Sequence, residues 1–395
     1  MGGDPVLLEK VRLNIRLNYA YTALMNTALD KAVWMLFLSY RGLGLVEIGL
    51  VESVFQLSML LFGVPAGAIS DLLGRKVSLV LSVFAKIAGY ALILLSHGFA
   101  GFAIGFALNA ISVVLYSGAS ESLTYDSCKI AGLSGYKKIY GNILAVTFVA
   151  TALGIAAGGI IASASYEWVY YASIAAMLLA LVPAVLFTET RRIAGSLARQ
   201  SIAGLLSKSM GLITGNPLIL YLLVISAAIT TVDMTIYMYC QKYFEAMAIP
   251  LYLIGLIFCV DSIFAALGAK YAYLLERFPN RDVIVIIPAA IVAAYVLLAV
   301  ANAPVVVLFL YVATVFVVAF WPILSELVNA RVPSENRATV LSLKSQLISL
   351  STMIVFPVVG LIAERTSLSA AFLWLVATMV PIIVFCVVKI RRIAF

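Results

Sequence analysis

The chain has 395 residues, of which 64% are hydrophobic and 11% are charged, and its mean hydropathy is +1.10. Soluble domains are about 45–50% apolar, so a soluble fold has too little interior to bury this much apolar surface. The formal net charge is +8, and because no soluble basic face remains to bind nucleic acid, we attribute the excess charge to membrane topology.

Apolar segments long enough to cross a bilayer recur along the whole chain. Crossing a hydrocarbon core of about 30 Å takes roughly 20 helical residues. The sequence therefore predicts an all-α membrane protein of about twelve transmembrane helices in two pseudo-symmetric six-helix bundles. The predicted domains are an N-terminal bundle at 1–188, a cytoplasmic linker at 189–215 and a C-terminal bundle at 216–395. The predicted spans are 14–40, 44–70, 77–96, 99–126, 137–163, 167–188, 216–241, 250–275, 283–301, 304–327, 337–363 and 368–389.

Lysine and arginine are distributed unevenly between alternate loops of this predicted topology. Arg41, Lys242 and Arg365 fall on one side, while the remaining loop cations fall on the other. The positive-inside rule then predicts that both termini are cytoplasmic, in a multi-pass protein of the cell membrane. The first apolar segment is longer than the core of a signal peptide, so we expect no cleaved signal.

Three pairs of segments align at one offset and indicate an internal repeat. The segment that begins at Gly67 meets the one that begins at Ala272, an offset of 205 residues. At that offset Gln56 meets Asp261, and Ser120-Glu121 meets Ser325-Glu326. Such parallel repeats are typical of transporters whose substrate site lies between the halves near the middle of the membrane.

The loop between the second and third spans reads GAISDLLGRK. It resembles the signature loop of the major facilitator superfamily, and the matching positions are Gly67, Asp71, Gly74, Arg75 and Lys76. The resemblance implies a conformational latch. Asp71 would lie against the helix start near Arg337–Val340, and Arg75 would pair with Asp126 or Glu121. A helix N-terminus favours a carboxylate, and arginine–carboxylate pairs have fixed geometry.

Other segments resemble proton-coupled drug exporters of the same superfamily. Span five is similar to the antiporter signature at Gly141, Gly154, Gly158 and Gly159, although Ala150 replaces a glycine and Ile155 a proline. The alternative is simple packing, because small residues at this spacing let membrane helices approach closely.

Four carboxylates fall at or close to the middle of predicted spans, where a charge costs about 2.5–3.5 kcal/mol on insertion scales. They are Asp30, Glu52, Asp233 and Asp261. We predict that they face a central water-filled cavity and that one of them, first of all Asp30, carries a coupled proton. In the alternative, a cation such as Lys86 neutralises Asp30, and the pair only holds helices together.

Polar and aromatic side chains on the same spans are predicted to line the substrate cavity. Asn26 and Gln56 each lie four residues from one of these carboxylates, on the same helix face. Trp34, Tyr237 and Trp321 would suit flat, lipophilic molecules. Each of these aromatic residues could instead belong to the core.

We predict a secondary transporter that exports lipophilic or cationic compounds in exchange for protons by alternating access. A symporter or uniporter for one metabolite is an alternative, which a cation beside the carboxylates would favour. A non-transporting sensor or a lipid-handling protein is another. The sequence contains neither a nucleophile–base pair nor the spacing of a metal site. We therefore expect no enzyme activity, cofactor or metal, and a monomer whose partners are the bilayer, protons and a small-molecule substrate.

Overall fold

The structure of the protein is a computed structural model that describes residues 5–190, 216–301, 305–332 and 337–394. Within these ranges, the side chains of 5–7, 64–68, 71, 337–339 and 394 are not described. The surroundings of Gly67, the Asp71 side chain and the side chains of 337–339, where the resemblance places the helix start that meets Asp71, are therefore not described. Most of the predicted linker lies outside the described residues.

The described chain is helical throughout, and its helices follow the apolar runs of the sequence. They are α1 Pro5–Met25, α2 Trp34–Tyr40, α3 Leu45–Leu73, α4 Arg75–Leu95, α5 Phe99–Ile130, α6 Tyr136–Ala164, α7 Tyr166–Leu186, α8 Pro217–Ala246, α9 Leu251–Tyr271 with a 3₁₀ extension Ala272–Arg277, α10 Asn280–Val300, α11 Val305–Asn329, α12 Arg337–Arg365 and α13 Leu368–Ala394. Their ends have ordinary causes. At the start of α8, for example, the Asn216 side chain accepts a hydrogen bond from the Leu218 amide at 3.2 Å, and Pro217 occupies the first turn.

Among the described residues, eleven helices are long and apolar enough to cross a membrane. They correspond to the predicted spans two to twelve. The first predicted span, 14–40, is not one continuous helix, because α1 ends at Met25 and α2 begins at Trp34. The all-helical membrane fold is therefore confirmed, whereas exactly twelve spans are not, because the first predicted span is divided between α1 and α2.

The chain divides into two compact units. Unit one comprises Met1–Leu43, Val54–Arg199 and Pro250–Cys259, and unit two comprises Gly44–Ser53, Gln200–Ile249 and Val260–Phe395. Each unit thus includes ten residues from the other half of the sequence. These two segments are the beginnings of α3 and α9, which are equivalent helices in the predicted repeat.

Close backbone packing holds each of these segments in its unit. In unit one, Gly159 of α6 lies against Gly255 of α9, and a methyl group on Gly159 would lie 2.7 Å from the Gly255 Cα atom. In unit two, the Ser53 hydroxyl of α3 donates to the Met353 carbonyl of α12 at 2.6 Å. Small side chains at such crossings allow membrane helices to pack closely.

Candidate functional site

The break between α1 and α2 opens the helix at the level of Asp30. Residues 26–33 contain no proline or glycine, but they carry short polar side chains that compete for backbone hydrogen bonds. The Asn26 side chain donates to the Thr22 carbonyl at 2.8 Å, and the Thr27 hydroxyl donates to the Leu24 carbonyl at 2.9 Å. Ala28 adopts a φ of 41°, in the left-handed region that alanine rarely occupies. The surroundings must therefore hold this conformation in place.

Helix α6 provides those surroundings. A methyl group on Gly154 would overlap the Thr27 carbonyl oxygen, and one on Gly158 would overlap the Leu29 carbonyl oxygen. One turn from Gly154, the Thr151 hydroxyl donates to the Asn26 carbonyl at 3.1 Å. Backbone polar groups freed inside a membrane must find partners within the protein. Gly154 and Gly158 of the antiporter-like helix therefore let the backbone of the broken segment pack directly against α6. This packing role does not depend on the proline that the antiporter signature has and this chain lacks.

The remaining glycines of the signature differ from this pair. Gly159 packs against α9 as described above, whereas nothing lies within 4 Å of a methyl group built on Gly141. A groove of about 600 Å³ runs between the break and α6, and its lining is apolar, with Leu24, Leu29 and Leu153 among its residues. Asp30 does not line this groove.

Asp30 points instead into unit one, toward α4 and α7. The Tyr90 hydroxyl donates to the Asp30 carboxylate at 3.1 Å. Lys86 interacts electrostatically with Asp30, and its ammonium lies 5.3 Å from the centre of the Tyr90 ring. The Tyr170 ring lies 6.1 Å from that of Tyr90. This environment favours the alternative in which Lys86 balances the charge of Asp30.

Unit two contains a second carboxylate cluster, formed by α8, α9, α10 and α11. Asp233 accepts a hydrogen bond from the Tyr295 hydroxyl at 2.5 Å, and the buried Asp261 accepts one from the Thr314 hydroxyl at 2.7 Å. Both carboxylates interact electrostatically with Tyr237, which lies one turn from Asp233 on α8. Two predicted coupling residues and one predicted cavity residue therefore come together. Sequence reasoning missed Tyr295 and Thr314, because nothing in their own segments singles them out.

Glu52 and Gln56 are both buried on α3, each with 6% of its surface exposed. Glu52 belongs to unit two and Gln56 to unit one, so the predicted polar stripe spans the boundary within α3. In unit two, Glu52 and Glu364 both interact electrostatically with Tyr239. The Glu364 carboxylate also accepts the Val46 amide at the start of α3, at 3.1 Å. Nothing in its own segment singles out Glu364.

The other predicted cavity residues have varied surroundings. Trp34 is buried against Phe106, with ring centres 5.1 Å apart, which favours a packing role. Trp321 is half-buried beneath the Lys344 ammonium, which lies 3.3 Å from the ring centre, so the pair forms a cation–π contact. Asn26 closes the end of α1 and also donates to the Tyr116 hydroxyl at 3.1 Å.

The arginine of the predicted latch pairs with Asp126. An Arg75 guanidinium nitrogen lies 3.2 Å from a carboxylate oxygen of Asp126, and both side chains are largely buried. Glu121 is exposed instead. The resemblance left these two acids open as partners of Arg75, and the geometry selects Asp126.

Glu189, to which sequence analysis assigned no role, contacts the loop of the predicted latch. Its carboxylate accepts the Lys76 backbone amide at 3.0 Å. Gly74 has a φ of 107°, and a methyl group there would overlap the Glu189 carboxylate. Glycine is thus needed at position 74 for both its backbone conformation and the close approach. An acidic residue at this end of α4 is stabilised by the helix dipole.

The Arg75–Asp126 pair carries a testable prediction. We expect Arg75→Ala and Asp126→Asn to lower the thermal unfolding midpoint, because each leaves one partner of a largely buried pair without its counter-charge. Substrate binding should be preserved and turnover slowed by roughly 5–150-fold, because a latch interaction of about 1–3 kcal/mol biases the state equilibrium. Transport rates and binding would be measured in parallel. Lys129→Ala, which changes an exposed cation at the end of α5, is the matched control. Wild-type rates in both latch mutants would rule out the latch.

Membrane-length helices, buried carboxylates and a broken helix are together typical of one class of protein, the helical membrane transporter. The family model of the Major Facilitator Superfamily matches residues 17–318, and the chain belongs to that family. It is a transporter and not an enzyme.

A curated relative and several solved structures resemble the whole chain. The uncharacterised MFS-type transporter YxaM of Bacillus subtilis (strain 168) is 23% identical over 387 residues, which cover 94% of each chain. The nucleoside transporter NupG has a TM-score of 0.74 at 13% identity, covering 97% of this chain and 98% of NupG. A bacterial homologue of the human lysosomal transporter Spinster has a TM-score of 0.71 at 16% identity, covering 98% and 96%. A D-xylose-proton symporter has a TM-score of 0.69 at 17% identity, covering 96% of each chain. These structures support the fold.

Proposed function

We propose that the protein is a proton-coupled transporter that exports lipophilic or cationic organic compounds by alternating access. The observation that carries the proton coupling is the cluster of Asp233, Asp261 and Tyr237 in unit two. Its carboxylates accept hydrogen bonds from the hydroxyls of Tyr295 and Thr314. Two carboxylates in one low-dielectric site repel each other when both are ionised, so such a cluster suits the uptake and release of a single proton.

Asp30, the first choice from sequence, is less suited to this task. Its carboxylate accepts the Tyr90 hydroxyl and interacts electrostatically with Lys86, and these contacts inside unit one suit a role in helix packing. We therefore assign proton coupling to unit two and a structural role to Asp30. The balanced charge of Asp30 also means that Lys86 does not by itself select an anionic substrate.

The proposal places the protein in the cell membrane as a monomer with both termini cytoplasmic. The uneven distribution of loop cations supports this orientation. Its partners would be the bilayer, protons and a small-molecule substrate. Export is favoured by the glycines that this chain shares with the antiporter signature, although here Gly154 and Gly158 also have a packing role of their own.

Uptake of a metabolite is a second candidate. Two of the solved structures that resemble this chain are a nucleoside transporter and a D-xylose-proton symporter, at 13% and 17% identity. A panel assay in proteoliposomes separates the two functions. With a pH gradient imposed, we expect a cationic dye to move against its gradient. Movement of uridine or D-xylose, with no movement of the dye, would replace export by metabolite transport.

A further inference from the structure

Glu121 is the acidic residue that does not pair with Arg75, because Asp126 occupies that position. It lies on α5, nine residues before the helix ends at Ile130, or about 13 Å along the axis. Its side chain is exposed, as are Ser117 and Gly118 one turn earlier. Among the described residues, Glu121 forms no ion pair. A charged side chain facing lipid is costly, so this face of α5 meets water.

Tyrosines of α6 surround the carboxylate. The Tyr140 hydroxyl interacts with the Glu121 carboxylate. The Tyr136 ring stacks on the Tyr140 ring, with centres 5.6 Å apart and planes inclined by 21°. The Tyr125 ring meets the Tyr136 ring edge-on at 5.3 Å. All three rings remain at least partly exposed. The result is an acidic group bordered by aromatic faces that solvent can reach.

The cluster extends toward the break in span one. Tyr140 interacts electrostatically with Tyr116, and the Tyr116 hydroxyl accepts the hydrogen bond from Asn26. Tyr116 and Tyr140 therefore connect the end of α1 with Glu121. Aromatic faces attract cations, and a carboxylate adds direct charge pairing. A neutral substrate would leave the Glu121 charge uncompensated, whereas a flat cation satisfies both features at once.

We propose that Glu121, Tyr136 and Tyr140 form a binding site for flat organic cations. This inference rests on the proposed function, because it names the substrate class of the transporter. The binding site can nevertheless be wrong while the proposed proton coupling is right. Binding at equilibrium needs no proton gradient. The site can therefore be tested on purified full-length protein in detergent, independently of coupling.

The test measures ethidium binding by fluorescence anisotropy, with uridine as a neutral competitor. We expect Glu121→Gln to weaken ethidium binding at least about tenfold, since charged hydrogen-bonded contacts are worth roughly 1.5–3 kcal/mol. Tyr136→Leu should weaken binding about 3–20-fold through loss of cation–π attraction. Glu276→Gln, which neutralises an exposed carboxylate in the 3₁₀ segment of unit two, should bind ethidium like the wild type.

Each result has one meaning. Unchanged ethidium binding in Glu121→Gln, no ethidium binding by the wild type, or equal competition by uridine would overturn the proposal. If Glu121→Gln fails to fold, Tyr136→Leu decides instead, since it leaves the charge in place. If ethidium binding depends on Glu121 but substrate transport is independent of the pH gradient, the proposed proton coupling is wrong and the binding site is supported. If transport depends on the pH gradient but Glu121→Gln binds ethidium like the wild type, the proton coupling is supported and the binding site is wrong.

Discussion

Gly154→Ala is expected to abolish transport and to lower the yield of folded protein sharply. The new methyl group would overlap the carbonyl oxygen of Thr27, which is backbone and cannot rotate away as a side chain would. Overpacking a close-packed interior typically costs about 1–3 kcal/mol. Here the shift would also disturb Ala28, whose left-handed conformation depends on its surroundings. Gly158→Ala should behave in the same way, through Leu29.

Gly141→Ala provides the matched control for this prediction. It lies on the same helix, changes the same atoms and adds a methyl group where nothing lies within 4 Å. We expect wild-type transport and a wild-type thermal unfolding midpoint. Thermal unfolding and transport would be measured for all three variants. Equal transport rates and equal unfolding midpoints in Gly154→Ala and Gly141→Ala would show that packing against α6 does not hold the broken segment in place.

Neutralising the carboxylates of unit two is expected to remove uphill transport while leaving exchange intact. Asp233→Asn and Asp261→Asn each keep the size of the side chain but cannot carry a proton. A gradient of about one pH unit is worth about 1.4 kcal/mol per proton, which supports roughly tenfold accumulation. We expect that accumulation to fall to none in either mutant. Exchange of labelled for unlabelled substrate should persist.

Asp30→Asn provides the contrast. The substitution would remove the charge that interacts with Lys86 and weaken the hydrogen bond from Tyr90, and a desolvated cation without a compensating charge is costly. We expect poor expression and a joint loss of accumulation and exchange. The opposite result is that Asp30→Asn expresses well and loses only accumulation, while Asp233→Asn and Asp261→Asn remain fully coupled. That result would place the proton site in unit one.

The fold followed from the sequence wherever apolar length alone decides it. Spans two to twelve were predictable, because each needs an apolar run of bilayer length. The first span was not, since its break contains neither proline nor glycine and depends on glycines that lie over a hundred residues away. Local sequence does not reveal that Gly154 and Gly158 meet Thr27 and Leu29.

The candidate site was predictable in its carboxylates and not in their partners. A charge inside a membrane is conspicuous in a sequence, so Asp30, Asp233 and Asp261 stood out. Their roles depend on contacts between distant helices. Lys86 approaches Asp30 from α4, while Tyr295 and Thr314 reach the other two from α10 and α11. Glu121 illustrates the same limit, because its motif suggested a latch and its neighbours are tyrosines of α6.

Substrate accumulation in proteoliposomes tests the central claim of proton-coupled transport most directly. The wild-type protein would be reconstituted with a pH difference of about one unit, with potassium and valinomycin holding the membrane potential at zero so that a cation responds only to the proton gradient. We predict accumulation of a cationic dye by roughly tenfold per coupled proton, and collapse of that gradient when a protonophore is added. Equal dye concentrations on both sides, reached at the same rate with and without the pH difference, would contradict the account.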